Sequence, residues 1–204
     1  MSKYDVDTVE ARYQPGSDEQ VLLNRLGITD PEEMDNVEAH LLSLLYKKVF
    51  SDDEADSNFS FDSILHWHKQ WLGRVYDWAG KVRSVRLSKD GFEFRAPPYI
   101  DQGIVSFEEQ YLTKLPYLSN FSREELVSYL AKSHVEFILI HPCREGNGRL
   151  SRLLMSYMSR EAGYGILDYS LWDEHRDFYF KSIQAGVGCE YQHMKRLVRD
   201  ILVR

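Results

Sequence analysis

Apolar residues recur three and four positions apart along most of this 204-residue chain, a spacing that predicts a mainly helical protein. Asp30-Pro31-Glu32-Glu33 offers an N-cap, a proline for the first helical position and carboxylates for the positive end of the dipole. A helix is therefore expected to about Val49, with Val37, Leu41, Leu44, Leu45 and Val49 on one stripe. Ser60 can cap a second helix in which Phe61, Ile64, Leu65, His68, Leu72 and Val75 share a face, which turns His68 inward; Gly80 ends it. A third is expected from Ile100 to Leu115, before a turn at Pro116. Ser122-Arg123-Glu124-Glu125 is a capping box, and the helix it opens carries Leu126, Leu130, Val135, Phe137 and Ile138. This helix is the expected centre of the core. Pro142 stops it. Leu150, Leu153, Leu154, Tyr157 and Met158 restart the helical period as far as Gly163, and one or two further helices follow, the last from about Glu190 to Val203.

The period changes only once. Val82 to Leu87 and Phe92 to Phe94 read as two extended pieces around the tight-turn signal Ser88-Lys89-Asp90-Gly91, and Pro97-Pro98 closes them. Residues 1–29 are polar and turn-rich, and the acidic, serine-rich run from Ser51 to Asn58 reads as a loop. The expected organisation is an N-terminal arm, 1–29, and one helical domain, 30–204.

Composition narrows the function classes. Hydrophobic content of 43% and a charged fraction of 28% fit one folded domain. The net charge of −7 repels nucleic-acid phosphate, so no nucleic-acid partner is expected. Arg83, Arg86, Lys89 and Arg95 come nearest to a basic patch and read as the solvated face of the hairpin. Two cysteines, Cys143 and Cys189, and the lack of an apolar leader point to a reducing, cytoplasmic compartment. No run is long and apolar enough to span a bilayer.

The chemistry concentrates between the two strongest helices, in His141-Pro142-Cys143-Arg144-Glu145-Gly146-Asn147-Gly148-Arg149-Leu150-Ser151-Arg152. A helix amino terminus presents unpaired amides and partial positive charge, a natural phosphate site. Gly146 and Gly148 permit an amide nest and close approach of an anion. Arg149 and Arg152, three apart in the first turn, add planar donor forks. Glu145 would oppose phosphate directly and makes better sense as a Mg²⁺ ligand, since such sites combine one or two carboxylates with phosphate oxygens. His141 is the residue suited to proton exchange near neutrality. Singly, each of these residues is ordinary. Together they indicate phosphate, metal and base without naming a reaction.

This stretch resembles the signature of the Fic family, His-Pro-Phe-x-Asp/Glu-Gly-Asn-Gly-Arg-x-x-Arg, at every position but Cys143, where the family has Phe. Val75-Tyr76-Asp77-Trp78-Ala79-Gly80-Lys81 with Arg83, and Phe94 through Pro98, resemble the segments flanking the Fic flap. Tyr13-Gln14-Pro15-Gly16-Ser17 and Asn24-Arg25-Leu26-Gly27-Ile28 are similar to adenylyl-transferring members.

The resemblance implies a Fic-type helical bundle with one small β-hairpin flap. It implies a protein adenylyltransferase that takes ATP with Mg²⁺, moves AMP to a Ser, Thr or Tyr hydroxyl of a target protein and releases pyrophosphate. His141 is then the catalytic base and Glu145 the metal ligand. Gly146, Asn147, Gly148, Arg149 and Arg152 are the nucleotide-binding residues, with Tyr179 near the adenine and Gly186 where many relatives have Asn. Leu87, Ser88, Lys89, Asp90, Gly91 and Phe92 form the flap edge that pairs with the target segment. The family's inhibitory helix has the pattern Ser/Thr-x-x-x-Glu-Gly/Asn. Thr29 to Glu33 and Ser170 to Glu174 fit its first half, but Met34 and His175 follow, so a separate antitoxin-like chain is the expected inhibitor. The alternatives are a Doc-like kinase, whose branch usually has Lys where this chain has Gly148, and a weakly active or non-catalytic nucleotide- or partner-binding module, suggested by Cys143.

Overall fold

Ser122 starts the helix on which the rest of the molecule is built. In the computed structural model, which describes residues 8–51 and 59–203, the Ser122 side chain accepts from the Glu125 N–H while the Ser122 N–H donates to the Glu125 carboxylate at 2.8 Å. This reciprocal cap satisfies two amides that a helix start leaves open. The helix, α4 (Arg123–Ile140), is buried along most of its length, and Leu126, Val127, Leu130, Val135 and Phe137 are fully enclosed. Around it pack α3 (Ile100–Gln110), α5 (Asn147–Glu161), α7 (Arg176–Ala185) and α8 (Gln192–Ile201). Short α6 (Ser170–Glu174) leads into α7.

A second apolar cluster joins α1 (Pro31–Ser51), α2 (Phe61–Leu72) and the segment after α2 to Leu153 of α5, with Trp71, Leu72, Val75 and Tyr76 at its heart. Val21 and Ile28 of the N-terminal segment belong to this cluster, so the described part of the expected arm is packed on the body. It holds a one-turn 3-10 helix (Val9–Ala11) and an isolated bridge between Tyr13 and Leu22. Residues 1–7 and most of the acidic run expected as a loop (52–58) lie outside the described residues.

The helical reading corresponds to the structure with local differences: the second helix ends at Leu72, with Gly73 as its C-cap, rather than at Gly80, and three helices rather than one or two follow α5 among the described residues. Leu44 is 48% exposed, and the inward face of α1 runs instead through Met34, Glu38 and Leu45. Val37, Leu41 and Val49 of the expected stripe pack beside Leu45 as predicted, and what spacing missed is the buried carboxylate of Glu38, whose partners come from elsewhere in the chain. The third helix stops at Gln110, and Leu112–Asn120 winds as a 3-10 helix around Pro116.

The hairpin is shorter than its sequence suggested. Strands β1 (Ser88–Lys89) and β2 (Phe92–Glu93) pair antiparallel, Ser88 opposite Glu93 and Lys89 opposite Phe92. Asp90 and Gly91, both at positive φ (51° and 79°), form the two-residue turn. Val82 to Leu87 is not a strand. Arg83, expected on a solvated face, is 2% exposed; it turns inward to serve main-chain carbonyls, so the segment is fastened to α4 rather than to a second strand.

Candidate active site

α4 ends by turning left-handed at His141 (φ 50°, ψ 59°), a conformation that non-glycine residues visit reluctantly. The His141 N–H still bonds the Phe137 carbonyl at 3.0 Å, and its ring Nδ1 lies 3.1 Å from the Ile138 carbonyl. A carbonyl can only accept, so Nδ1 carries the proton and Nε2 keeps its lone pair. The Phe94 ring lies nearly parallel to the imidazole, centroids 3.6 Å apart. Burial pushes the pKa of His141 down to about 4, outweighing the bond to Ile138, with the charges of Arg83 and Lys89 acting in the same direction as burial. The imidazole is therefore a neutral acceptor at physiological pH.

Beyond Pro142 the loop is closed by side chain to main chain. The Cys143 N–H donates to Asn147 Oδ1 and the Asn147 amide donates to the Cys143 carbonyl, each at 2.8 Å. The carboxamide of Asn147 is thus spent on the loop. Arg144 Nε adds a bond to the Glu10 carbonyl at 2.8 Å. Cys143 is fully buried, and burial pushes its thiol up to about 12. The fastening of this loop uses backbone, amide and guanidinium groups.

At the amino end of α5, Gly146 sits at φ 80°, and a Cβ there would stand 2.6 Å from the Trp71 ring. Glycine is required on both counts. Gly148 differs: a Cβ there would meet no protein atom within 4 Å, and the residue lines the cleft. His68, fully buried in α2, supports the turn from behind. Its Nδ1 accepts from the Gly80 N–H at 2.8 Å, so Nε2 donates to the Glu145 carbonyl at 3.1 Å. The inward direction expected for His68 is the one found.

The two arginines diverge. Arg149 Nη2 bonds Glu38 Oε2 at 2.6 Å while the guanidinium lies over the Trp71 ring, 4.7 Å from its centroid. Glu38 also accepts from the Tyr76 hydroxyl at 2.7 Å. Burial raises the Glu38 pKa despite Arg149 and Tyr76, which pull it down. Arg152 is instead gripped by Asp173 of α6, at 2.7 and 3.1 Å, within a box of Tyr169, Trp172 and Tyr179. The acid that meets the last arginine of the motif is therefore an aspartate of this chain. Sequence reasoning missed Glu38, although a carboxylate interrupting an apolar stripe was a signal. For Asp173 there was none.

These groups border one cleft of about 570 Å³. On one side lie His141 and residues 144–149 with Arg152; on another, Leu87, Ser88, Lys89, Asp90 and Phe92 of the hairpin; on a third, Tyr179, Phe180, Ile183 and Gln184 of α7. The Lys89 ammonium sits over the Phe180 ring at 4.2 Å, joining hairpin to α7. Tyr179 offers its ring, because its hydroxyl is 2.8 Å from His134 Nε2. Gly186 is buried, and a Cβ there would stand 2.2 Å from Val135 Cγ1, so a side chain would need Val135 to move. The Glu145 side chain, 47% exposed, borders the cleft. Among the described residues no cluster of three or more His, Cys, Asp or Glu could hold a metal. A cation here would rest on Glu145 together with oxygens of a ligand, a composition that suits Mg²⁺.

The Fic/DOC family matches residues 58–159, half of the chain. The chain belongs to the Fic/DOC family. Similar curated proteins include the protein adenylyltransferase VbhT of Bartonella schoenbuchensis, 31% identical over 172 residues, 82% of this chain and 34% of VbhT. Another is the probable protein adenylyltransferase y4lH of Sinorhizobium fredii, 31% identical over 190 residues, 90% of this chain and 93% of y4lH. The chain thus spans about a third of the first relative and nearly all of the second. Among solved structures, the N-terminal Fic domain of a Bartonella effector protein from Bartonella sp. AR 15-3 superposes with a TM-score of 0.78 at 20% identity, covering 98% of this chain and 95% of that one. BepC of Bartonella tribocorum, crystallised with bound AMPPNP, gives 0.73 at 23% identity over 88% of this chain and 91% of its own. These structural likenesses establish the Fic fold, a helical body with a small hairpin over the motif.

Proposed function

We propose that this Fic protein is a protein adenylyltransferase that moves AMP from ATP to a Ser, Thr or Tyr hydroxyl of a target protein. The observation that carries the reading is the neutral His141 imidazole, its Nδ1 proton tied to Ile138 and its Nε2 lone pair free, beside the helix terminus that closes the cleft. The names of the relatives, adenylyltransferases at 31% identity, support it.

In this reading the triphosphate lies along the amino end of α5. Gly148 leaves room for it, main-chain amides and the helix dipole face it, and Arg149 and Arg152 supply positive charge. Asn147 contributes by shaping the loop through Cys143. Glu145 would hold Mg²⁺, which when bound spreads charge over the phosphate oxygens. The target segment pairs along Leu87, Ser88, Lys89, Asp90, Gly91 and Phe92, which brings its hydroxyl to His141. Nε2 takes the hydroxyl proton as the oxygen bonds to the α-phosphorus. The bond from that phosphorus to the bridging oxygen breaks, and pyrophosphate leaves. The adenine rests against Tyr179 and its neighbours on α7.

Two further parts of the reading concern setting. The chain acts in the cytoplasm as a toxin, held in check by a small antitoxin-like chain whose acidic helix takes Arg152 from Asp173. Among the described residues no helix is long and apolar enough to cross a membrane.

Labelled ATP decides the reaction. Label from the α-phosphate appears on protein and disappears in His141→Ala; label from the γ-phosphate alone replaces this reading with a kinase, and ATP binding without either leaves a binding module.

A further inference from the structure

Arg83 is buried, and its guanidinium donates to four main-chain carbonyls: His141 from Nε at 2.6 Å, Val85 from Nη1, and Arg95 and Ile140 from Nη2 at 2.6 and 3.5 Å. A charge removed from water must be met by ordered dipoles. Here they come from three places, the carboxyl end of α4, the chain entering the hairpin and the chain leaving it.

The main chain repeats the pattern. The Arg83 N–H bonds the Pro142 carbonyl at 2.8 Å and the Arg95 N–H bonds the Leu139 carbonyl at 3.1 Å. Four consecutive carbonyls, 139 to 142, would otherwise be left open at a helix end. They are taken by two arginines that flank the hairpin. One of them belongs to His141, whose left-handed backbone needs outside support.

We propose that Arg83 is a positioning residue that locks the target-docking hairpin to His141, so that one side chain sets both the base and the edge that delivers the hydroxyl. This rests on the reading of His141 as base and the hairpin as target edge. A planar fork can face carbonyls on several sides at once, which the single nitrogen of lysine cannot do. None of the Arg83 bonds described above reaches the Glu145–Arg152 cradle. Target modification and nucleotide binding should therefore separate.

The test compares the full chain with Arg83→Lys in two measurements. In the first, transfer is read as α-phosphate label incorporated into the proteins of one fixed lysate, and affinity with a fluorescent ATP analogue. Transfer should fall about 100-fold, the scale of an ångström-level misplacement, while the dissociation constant stays within about threefold. Transfer at the parent rate, or parallel loss of transfer and nucleotide affinity, overturns the proposal.

The second measurement is amide hydrogen exchange, which needs no activity. Phe94 and Arg95, bonded to Leu87 and Leu139, should exchange about tenfold faster in the variant, while Leu150, bonded to Gly146, keeps its parent rate. Unchanged exchange at Phe94 and Arg95 overturns the lock even if the parent protein transfers nothing, an outcome that would instead strike the adenylyltransferase reading. If Arg83→Lys does not fold, exchange in the parent protein still decides. The Arg83, Phe94 and Arg95 amides should open together as one unit, and independent opening overturns the proposal.

Discussion

Arg152 is held by Asp173 through two bonds, Nη2 to Oδ1 at 2.7 Å and Nη1 to Oδ2 at 3.1 Å, at the edge of the cleft proposed to take the triphosphate. The aspartate side chain is 64% exposed, so the pair is a weak one, roughly 0.2–1 kcal/mol. A phosphate arriving at Arg152 must displace it. We expect Asp173→Asn to tighten ATP binding by about 1.4- to fivefold, the same energy read as affinity. Arg152→Ala should weaken it by about 10- to 100-fold, the loss of a charge-assisted contact. Calorimetric titration with ATP checks both, and looser binding in Asp173→Asn would mean that the aspartate presents Arg152 rather than competing for it.

Glu38 answers Arg149 from inside the fold, where its side chain is 4% exposed and that of Arg149 is 33% exposed. Removing one partner of a fully buried pair costs about 3–5 kcal/mol. Because Arg149 reaches water, we expect Glu38→Gln to destabilise the protein by about 2 kcal/mol after that discount. Urea unfolding measures it, and an unchanged midpoint would show that the Trp71 ring holds Arg149 without the carboxylate.

The two motif glycines should behave differently. Gly146→Ala forces a Cβ into Trp71 at a positive φ and should leave little folded protein. Gly148→Ala meets no protein atom within 4 Å, so its melting temperature should stay near that of the parent while ATP affinity falls about tenfold through lost phosphate approach. Equal folding of both variants would contradict the packing.

Histidine burial fixes the response to acid. Burial is the largest cause lowering His134 to about 3 and His141 to about 4, both below the ordinary value near 6.5. Below that value the unfolded chain binds protons that the folded chain refuses, so stability falls as pH drops through the window between the ordinary and the lowered pKa. Each histidine contributes a slope of up to about 1.4 kcal/mol per pH unit. Urea midpoints between pH 6.5 and 5 should decline, and His134→Gln should flatten the decline. The acid limb of the transfer rate should lie well below pH 6.5, because His141 stays neutral until the pH approaches about 4.

The two thiols should separate cleanly. Cys143 is buried, with its thiol pushed up to about 12, whereas Cys189 is exposed. Thiolate is the reactive form, so a thiol reagent should label Cys189 in the folded protein and both residues only in denaturant. Labelling of Cys143 in native protein would reveal an open motif loop.

The sequence by itself determined the helices and the chemistry of the turn. The Ser122–Glu125 cap, the apolar stripe of α4, the stop at Pro142 and the Asp90-Gly91 turn act through neighbours within four residues, and local spacing encodes those forces. The motif likewise placed a base, a carboxylate, glycines and guanidiniums in one short stretch. Only the tertiary structure decided which groups meet them. Glu38 finds Arg149 from 111 residues away, Asp173 finds Arg152 from 21, and Arg83 leaves the surface where its charge would have placed it. Burial makes the Glu38 and Arg83 pairings necessary, because a charge or carbonyl withdrawn from water must find a partner wherever the packed chain offers one. Sequence spacing carries no record of which distant segment that will be.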